Sequence, residues 1–250
     1  MTAALLAYDA ALLLLTCLLY GGSAWATWQL ISWAQLFLPI WALILLWPCW
    51  LVCFCLCLIC GLWLLRLPVP AVPEGKFAAP GSPGFWLWTW HFSLRRLIAV
   101  QPLYTVIHWS AILRWLAYRA LGMRLAFASS MSSDVIILDP GLLEMGSRSV
   151  LGARTLVGCH YMNKYPDGDK LITARTRLGV NVNIGVDCVI SPGVEVGDNT
   201  TVGTQSMLSP FVKVGKNVTI KPFTTVPPKM VIPDGVTYPE PRPESHPAST

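Results

Sequence analysis

From Ile172 to Ile232 an aliphatic residue stands at every sixth position: Ile172, Leu178, Ile184, Ile190, Val196, Val202, Leu208, Val214, Ile220, Val226 and Ile232. Gly follows it at Gly179, Gly185, Gly197, Gly203 and Gly215. Two positions earlier stand small or β-branched residues: Val182, Cys188, Val194, Thr200, Ser206, Val212 and Val218. A period of six predicts a parallel β-helix, each rung a short strand plus a turn with the aliphatic residue pointing inward. A second period lies over the first. Pro192, Pro210 and Pro228 are eighteen residues apart, as are Asn181, Asn199 and Asn217. Three rungs therefore close one triangular coil, and residues eighteen apart stack on neighbouring coils. The fourth position of a rung holds Asn181, Asp187, Gly193, Asn199 and Asn217, types that tolerate the left-handed backbone of a tight corner.

Upstream, Met145-Gly146, Leu151-Gly152 and Val157-Gly158 form one clean coil, and 125–144 read as a poorly formed entry coil. The frame then breaks. Val157 and Ile172 are fifteen residues apart where six are needed, so nine are extra, and the chain is expected to leave the prism as a loop over 160–171. The repeat domain is expected over 125–236 with about four to five coils, followed by a Pro-rich disordered tail over 237–250.

A different pattern opens the chain. No formal charge occurs from Ala10 to Leu65, and a spanning helix needs about 20 apolar residues. Residues 1–66 are expected to hold two transmembrane helices, near 3–22 and 37–64, with a turn beginning at Gly21, Gly22 and Ser23. Pro39 and Pro48 are positioned to kink or end the second. Residues 67–84 read as a Pro/Gly linker. Over 85–124, Trp86, Trp88, Trp90, Trp109 and Trp115 alternate with Arg95, Arg96, Arg114, Arg119 and Arg124, as in a helical segment lying at a membrane surface. His91 and His108 are placed at that surface. A third span over 97–113 is the competing reading, with Pro102 and His108 against it.

Charge refines this picture. Residues 1–65 carry one acid and no base, 66–124 seven bases and one acid, and 125–250 eleven of each, so the net +5 belongs to the segment after the apolar block. That argues against a nucleic-acid face on the repeat domain. By the positive-inside rule it places the soluble domain on the cytosolic side of an integral membrane protein. The eight Cys lie in the apolar block or on rungs, without metal-ligand partners, and read as small buried hydrophobes rather than a disulfide framework or metal site.

His160 stands where the loop leaves the coil. Counted in register through Ile172, its rung stacks on those of Ile184, Val202 and Ile220, so Asp187 is expected one coil away. A carboxylate behind an imidazole makes a general base. Asn163, Lys164, Tyr165 and Asp167 on the loop are candidate substrate contacts. Gly185 and Gly203, with Gln205, are candidates to let a pantetheine arm lie against the backbone.

The run MGSRSVLGARTLVGCH, a loop, then RLGVNVNIGVDCVISPGVEVGDNTTVG resembles the hexapeptide-repeat acyltransferases. That resemblance implies a left-handed parallel β-helix. It also implies that His160 deprotonates an amine or hydroxyl for attack on acetyl-CoA or another acyl-thioester, without a metal. The order of two spans, an Arg- and Trp-rich segment ending in YRALGMRL, then this motif is similar to one unit of the membrane-bound terminal domains of polylysine-synthetase-type nonribosomal peptide synthetases. It implies a donor held by a carrier protein, because no adenylation or carrier domain is present in this sequence. Soluble members are typically homo-oligomers. The alternatives are a non-catalytic, membrane-tethered β-helix scaffold and a trans-acting half-unit of a peptide synthetase.

Overall fold

A computed structural model describes residues 3–240. By contacts the chain divides into two compact units, Met1–Pro73 with Gly81–Met123, and Glu74–Pro80 with Arg124–Thr250.

The first unit is helical. α1 (Ala3–Ala34) runs unbroken through Gly21, Gly22 and Ser23, so the expected turn is not there. The helix satisfies its backbone groups internally, and Ser23 Oγ adds a bond to Leu19 O at 2.8 Å. The chain turns later, before Pro39, which starts the short α2 (Ile40–Leu45). α3 (Trp47–Arg66) follows with Pro48 in its first turn, where the missing N–H costs nothing. Two helices are long and apolar enough to cross a membrane, Ala7–Ala34 and Trp47–Arg66. They approach closely at Gly61, where an added Cβ would lie 2.5 Å from Leu19 Cδ1.

The aromatic, basic segment folds as three helices: α4 (Pro83–Leu97), capped by Ser82, α5 (Leu103–Trp109), and α6 (Ala111–Ala120), capped by Ser110. The break between α4 and α5 removes a continuous third span over 97–113. His108 is not at a surface. It is 1% exposed, its Nδ1 bonds Tyr104 O at 2.8 Å and its Nε2 meets Tyr118 Oη at 3.0 Å. A carbonyl accepts only, so Nδ1 carries the proton and Tyr118 donates to Nε2. Burial, with Arg114 and Arg95 adding to it, lowers the ring to about 4 against the pull of the Tyr104 carbonyl.

The second unit is a parallel β-solenoid. Two faces hold six strands each and the third holds five. The first face runs Arg124–Leu125, Leu143–Met145, Thr176–Leu178, Glu195–Val196, Lys213–Val214, Val231–Ile232. The second starts at Ser130–Met131 and ends at Thr237–Tyr238, and the third runs from Ile136–Ile137 to Thr225–Val226. Residues 125–144 thus form a complete coil, and the ladder continues past 236, giving more coils than the four to five expected. The remainder of the expected disordered tail, from 241 on, and His246 lie outside the described residues.

The interior follows the sequence pattern. Val182, Cys188, Val194, Thr200 and Val212 are fully buried beside the aliphatic column. Hydroxyls there bind carbonyls of the next coil, as Thr200 Oγ1 does to Gly215 O at 2.8 Å. Corners take positive φ at Asn181, Asp187, Asn199, Gln205 and Asn217, and Asn181 Nδ2 donates to Asn199 Oδ1 at 3.0 Å. The glycines after the aliphatic residues have another cause. A Cβ on Gly152 would lie 2.5 Å from the Gly185 carbonyl, and one on Gly185 2.6 Å from Thr204 N, so close stacking of coils excludes a side chain.

Two expectations change where the coil is interrupted. The chain leaves after Val157 and re-enters at Thr176–Leu178, which pairs with Leu143–Met145. Ile172 is not a rung. It belongs to an antiparallel hairpin, His160–Tyr165 with Gly168–Thr173, which replaces the expected loop. The expected linker also supplies a strand. Gly75–Ala78 pairs with the hairpin's second strand, Gly75 opposite Thr173, and makes a three-stranded sheet.

Candidate active site

Re-entry at Leu178 rather than Ile172 shifts the register by one rung. Val157 stacks on Ile190, and Ile184 stacks on Leu151. His160 therefore stands at the corner between the third and first faces, in the column of Gly193, Phe211 and Lys229. Asp187 stands at the corner between the second and third faces. The expected His160–Asp187 pair is not formed. Asp187 instead takes a two-point bond from Arg154, Nε to Oδ1 at 2.7 Å and Nη2 to Oδ2 at 2.6 Å. The Arg154 guanidinium holds its carboxyl below the usual carboxylate range.

Another acid takes the place assigned to Asp187. His160 Nδ1 lies 2.7 Å from Asp139 Oδ2. The same oxygen accepts Cys159 N at 2.9 Å. Asp139 sits at the corner of the first coil, two residues after Ile137, and Ile137 pairs with Val157, so Asp139 lies one coil from Cys159 and beside His160. A short 3-10 turn, Pro140–Leu142, absorbs the extra length before Leu143–Met145. The Asp139 side chain is 4% exposed and that of His160 16%. A carboxylate that already accepts a backbone N–H is held in orientation. It receives the Nδ1 proton and leaves the basic lone pair of the neutral ring on Nε2. The signal for Asp139 was present in the sequence as the coil of Leu125, Met131 and Ile137, whose sixfold spacing is complete before the two extra residues that follow.

The hairpin base shapes the surroundings. His160 is opposite Thr173, and Ala174 N bonds Cys159 O at 3.0 Å. The Phe211 ring covers Gly193, whose added Cβ would also lie 3.2 Å from that of Ala174. Arg175 is anchored by Glu74 at N and Nε, both 3.0 Å, and reaches Glu144 Oε1 at 3.2 Å. Burial works to raise the Glu74 carboxyl, but the Arg175 bonds outweigh it and hold it low. Burial, with Asp139 adding to it, pushes the Cys159 thiol up to about 12, so it is no nucleophile.

The other expected residues lie apart from this dyad. Asn163, Lys164 and Tyr165 run toward the hairpin tip, roughly 10 to 17 Å along the strand from His160 at about 3.3 Å per residue, and Asp167 lies in the turn beyond them. Asn163 Oδ1 accepts Lys164 N at 3.0 Å, Asp167 pairs with Lys170 at 2.6 Å, and Lys76 Nζ stands 3.4 Å over the Tyr165 ring. Gly185, Gly203 and Gln205 share the Asp187 corner rather than that of His160. At Gly203 an added Cβ would collide with the backbone of Lys221 and Pro222. These glycines serve coil stacking. Among the described residues no group of His, Cys, Asp and Glu is arranged to hold a metal ion.

No family model and no curated protein matches the sequence. Solved structures do resemble the chain. A mutant of perosamine N-acetyltransferase from Caulobacter crescentus, in complex with CoA and GDP-perosamine, is 17% identical, with 50% of this chain and 60% of that one covered and a TM-score of 0.25. A hexapeptide-repeat acetyltransferase from Vibrio cholerae is 16% identical over 53% and 81%, TM-score 0.33. A maltose O-acetyltransferase from Clostridium difficile is 14% identical over 64% and 88%, TM-score 0.39. The alignment spans only 60% of the Caulobacter enzyme's length. Likeness at this level carries no inference about activity, and the chemistry has to be read from the residues.

Proposed function

We propose that the chain is a membrane-anchored acyltransferase that moves an acyl or aminoacyl group from a thioester to an amine or hydroxyl. The observation that carries this reading is the Asp139–His160 pair at the root of the inserted hairpin. His160 Nε2 takes the proton of the acceptor as its N or O attacks the thioester carbonyl. The tetrahedral intermediate collapses with loss of thiolate, and the imidazolium returns the proton to that sulfur. Asp139 holds the ring in the required tautomer and stabilises the imidazolium between the two steps. The motif run around His160 supports the same class of chemistry by its resemblance to hexapeptide-repeat acyltransferases. Acetyl-CoA is the first donor to assay. The likeness to the terminal unit of a polylysine-type synthetase makes an aminoacyl thioester on a carrier protein the second.

α1 and α3 are proposed to anchor the protein, with the solenoid on the cytosolic side, because Arg66 and the bases after it follow the second apolar helix.

The test uses the full chain in detergent or lipid, with acetyl-CoA and a panel of amines and alcohols. His160→Ala is expected to lower turnover by about 10²–10⁴-fold, the usual worth of a general base, with folding unchanged. Asp187→Asn is expected to retain activity. Equal turnover in wild type and His160→Ala removes the mechanism. A wild-type melting temperature unmoved by either thioester donor favours a non-catalytic tethered scaffold.

A further inference from the structure

α1 and α4 flank a half-open cavity of about 360 Å³ within the helical unit, lined by Tyr8, Leu12, Leu15, Leu18, Trp90 and Ser93 among others. The volume is that of a small-molecule site, roughly 300–1,000 Å³. Three observations say what it fits. First, its walls are apolar along α1 from Tyr8 to Leu18, roughly 15 Å of helix at about 1.5 Å per residue. That suits one extended hydrocarbon chain. Leu14 and Leu18 on its wall are 62% and 64% exposed and Leu13 beside it 67%, as on a helix facing lipid.

Second, the polar groups gather at one end. Ser93 Oγ donates to Thr89 O at 2.6 Å, so its single proton is used. Tyr8 Oη, 2.7 Å from Ser93 Oγ, must then be the donor to it. The Tyr8 proton is committed as well, and its oxygen presents lone pairs only. A polar head at this end has to donate a proton, as a hydroxyl or ammonium does. Tyr8 stands at the start of the apolar stretch Ala7–Ala34, the depth at which Tyr rings sit in a bilayer. Third, the Trp90 indole Nε1 is buried without an acceptor among the described residues. Orphan buried donors are rare, and Trp90 is a residue of the cavity wall, so a rotation of its ring toward an ester or amide carbonyl of the occupant would give this one an acceptor.

We propose that this cavity binds a single-chain membrane amphiphile whose head group carries a hydroxyl or amine, with the head at Tyr8 and the chain along α1. The site is independent of the reaction proposed at His160.

The experiment uses the full chain in phosphatidylcholine nanodiscs and two photo-probes with one mid-chain diazirine each, a monoacylglycerol and the free fatty acid of the same length. The monoacylglycerol is expected to label peptides of α1 and α4, and Leu15→Trp, which fills the cavity, to abolish that labelling. Leu13→Trp, on the same helix but outside the cavity, is expected to leave it intact. Tyr8→Phe should cut it about fivefold, the factor one hydrogen bond is worth, and the fatty acid should label correspondingly less. Labelling that survives Leu15→Trp, or that spreads evenly around α1, is ordinary boundary lipid and overturns the proposal. Equal labelling by the two probes overturns the choice of head group.

Discussion

Asp139 Oδ2 serves two donors, the Cys159 amide and the His160 ring. Its removal should be felt twice. Asp139→Ala leaves a buried amide without an acceptor, which costs about 1–3 kcal/mol, and frees the imidazole to choose either tautomer. A lowered melting temperature together with lost turnover is expected, whereas His160→Ala should lower turnover alone. His108 gives a second prediction at this scale. Its folded value, about 4, lies below the ordinary 6.5, so between these limits the unfolded chain binds more protons than the folded one. Stability of the helical unit is therefore unaffected above pH 6.5 and falls as pH drops toward 4, by on the order of 3 kcal/mol. Melting of the detergent-solubilised protein at pH 7.5 and 4.5 measures it. His108→Gln should flatten the difference.

The rung is an element that tolerates little. A Cβ at Gly185 meets the backbone of Thr204 rather than a movable side chain, so Gly185→Ala must spread two coils. Overpacking of that kind costs typically 1–3 kcal/mol. The alanine variant is expected to melt well below wild type, and little change would mean that the coils slide apart easily. The hairpin is held differently. Its third strand is Gly75–Ala78, and Glu74 binds both the amide and the guanidinium of Arg175 at its root. Glu74→Ala should raise hydrogen exchange at Arg175 and along Gly168–Thr173 while amides of the lower coils stay protected. Sequence reading missed this strand because 68–84 carry Pro and Gly enough for a linker, and a four-residue edge strand needs no periodicity of its own.

At the scale of the whole molecule, the chain alternates between its two units, since Glu74–Pro80 belongs with the solenoid while the residues on either side belong with the helices. Topology is the prediction that belongs here. If the solenoid lies on the cytosolic side, as proposed above, protease added to sealed inside-out vesicles digests it and leaves α1 and α3. Protection of the solenoid in those vesicles would reverse the orientation.

The sixfold and eighteenfold repeats by themselves determined the prism, its corners and its buried columns, because each rung repeats one local solution and any rung reads the same as the next. The apolar stretches likewise determined two long helices, since unbroken hydrophobicity over that length has few other uses. The spacing of Leu125, Met131 and Ile137 put Asp139 at a corner, but which corner acid faces His160 was decided by the register of the coils, a matter of tertiary structure. One miscounted rung turns a side chain to another edge of the triangle, and nothing in residues 158–175 says whether Ile172 points into the prism or pairs within a hairpin. That depended on pairings between residues distant in sequence, of Ile172 with Tyr161 inside the hairpin and of Thr176–Leu178 with Leu143–Met145 where the coil begins again.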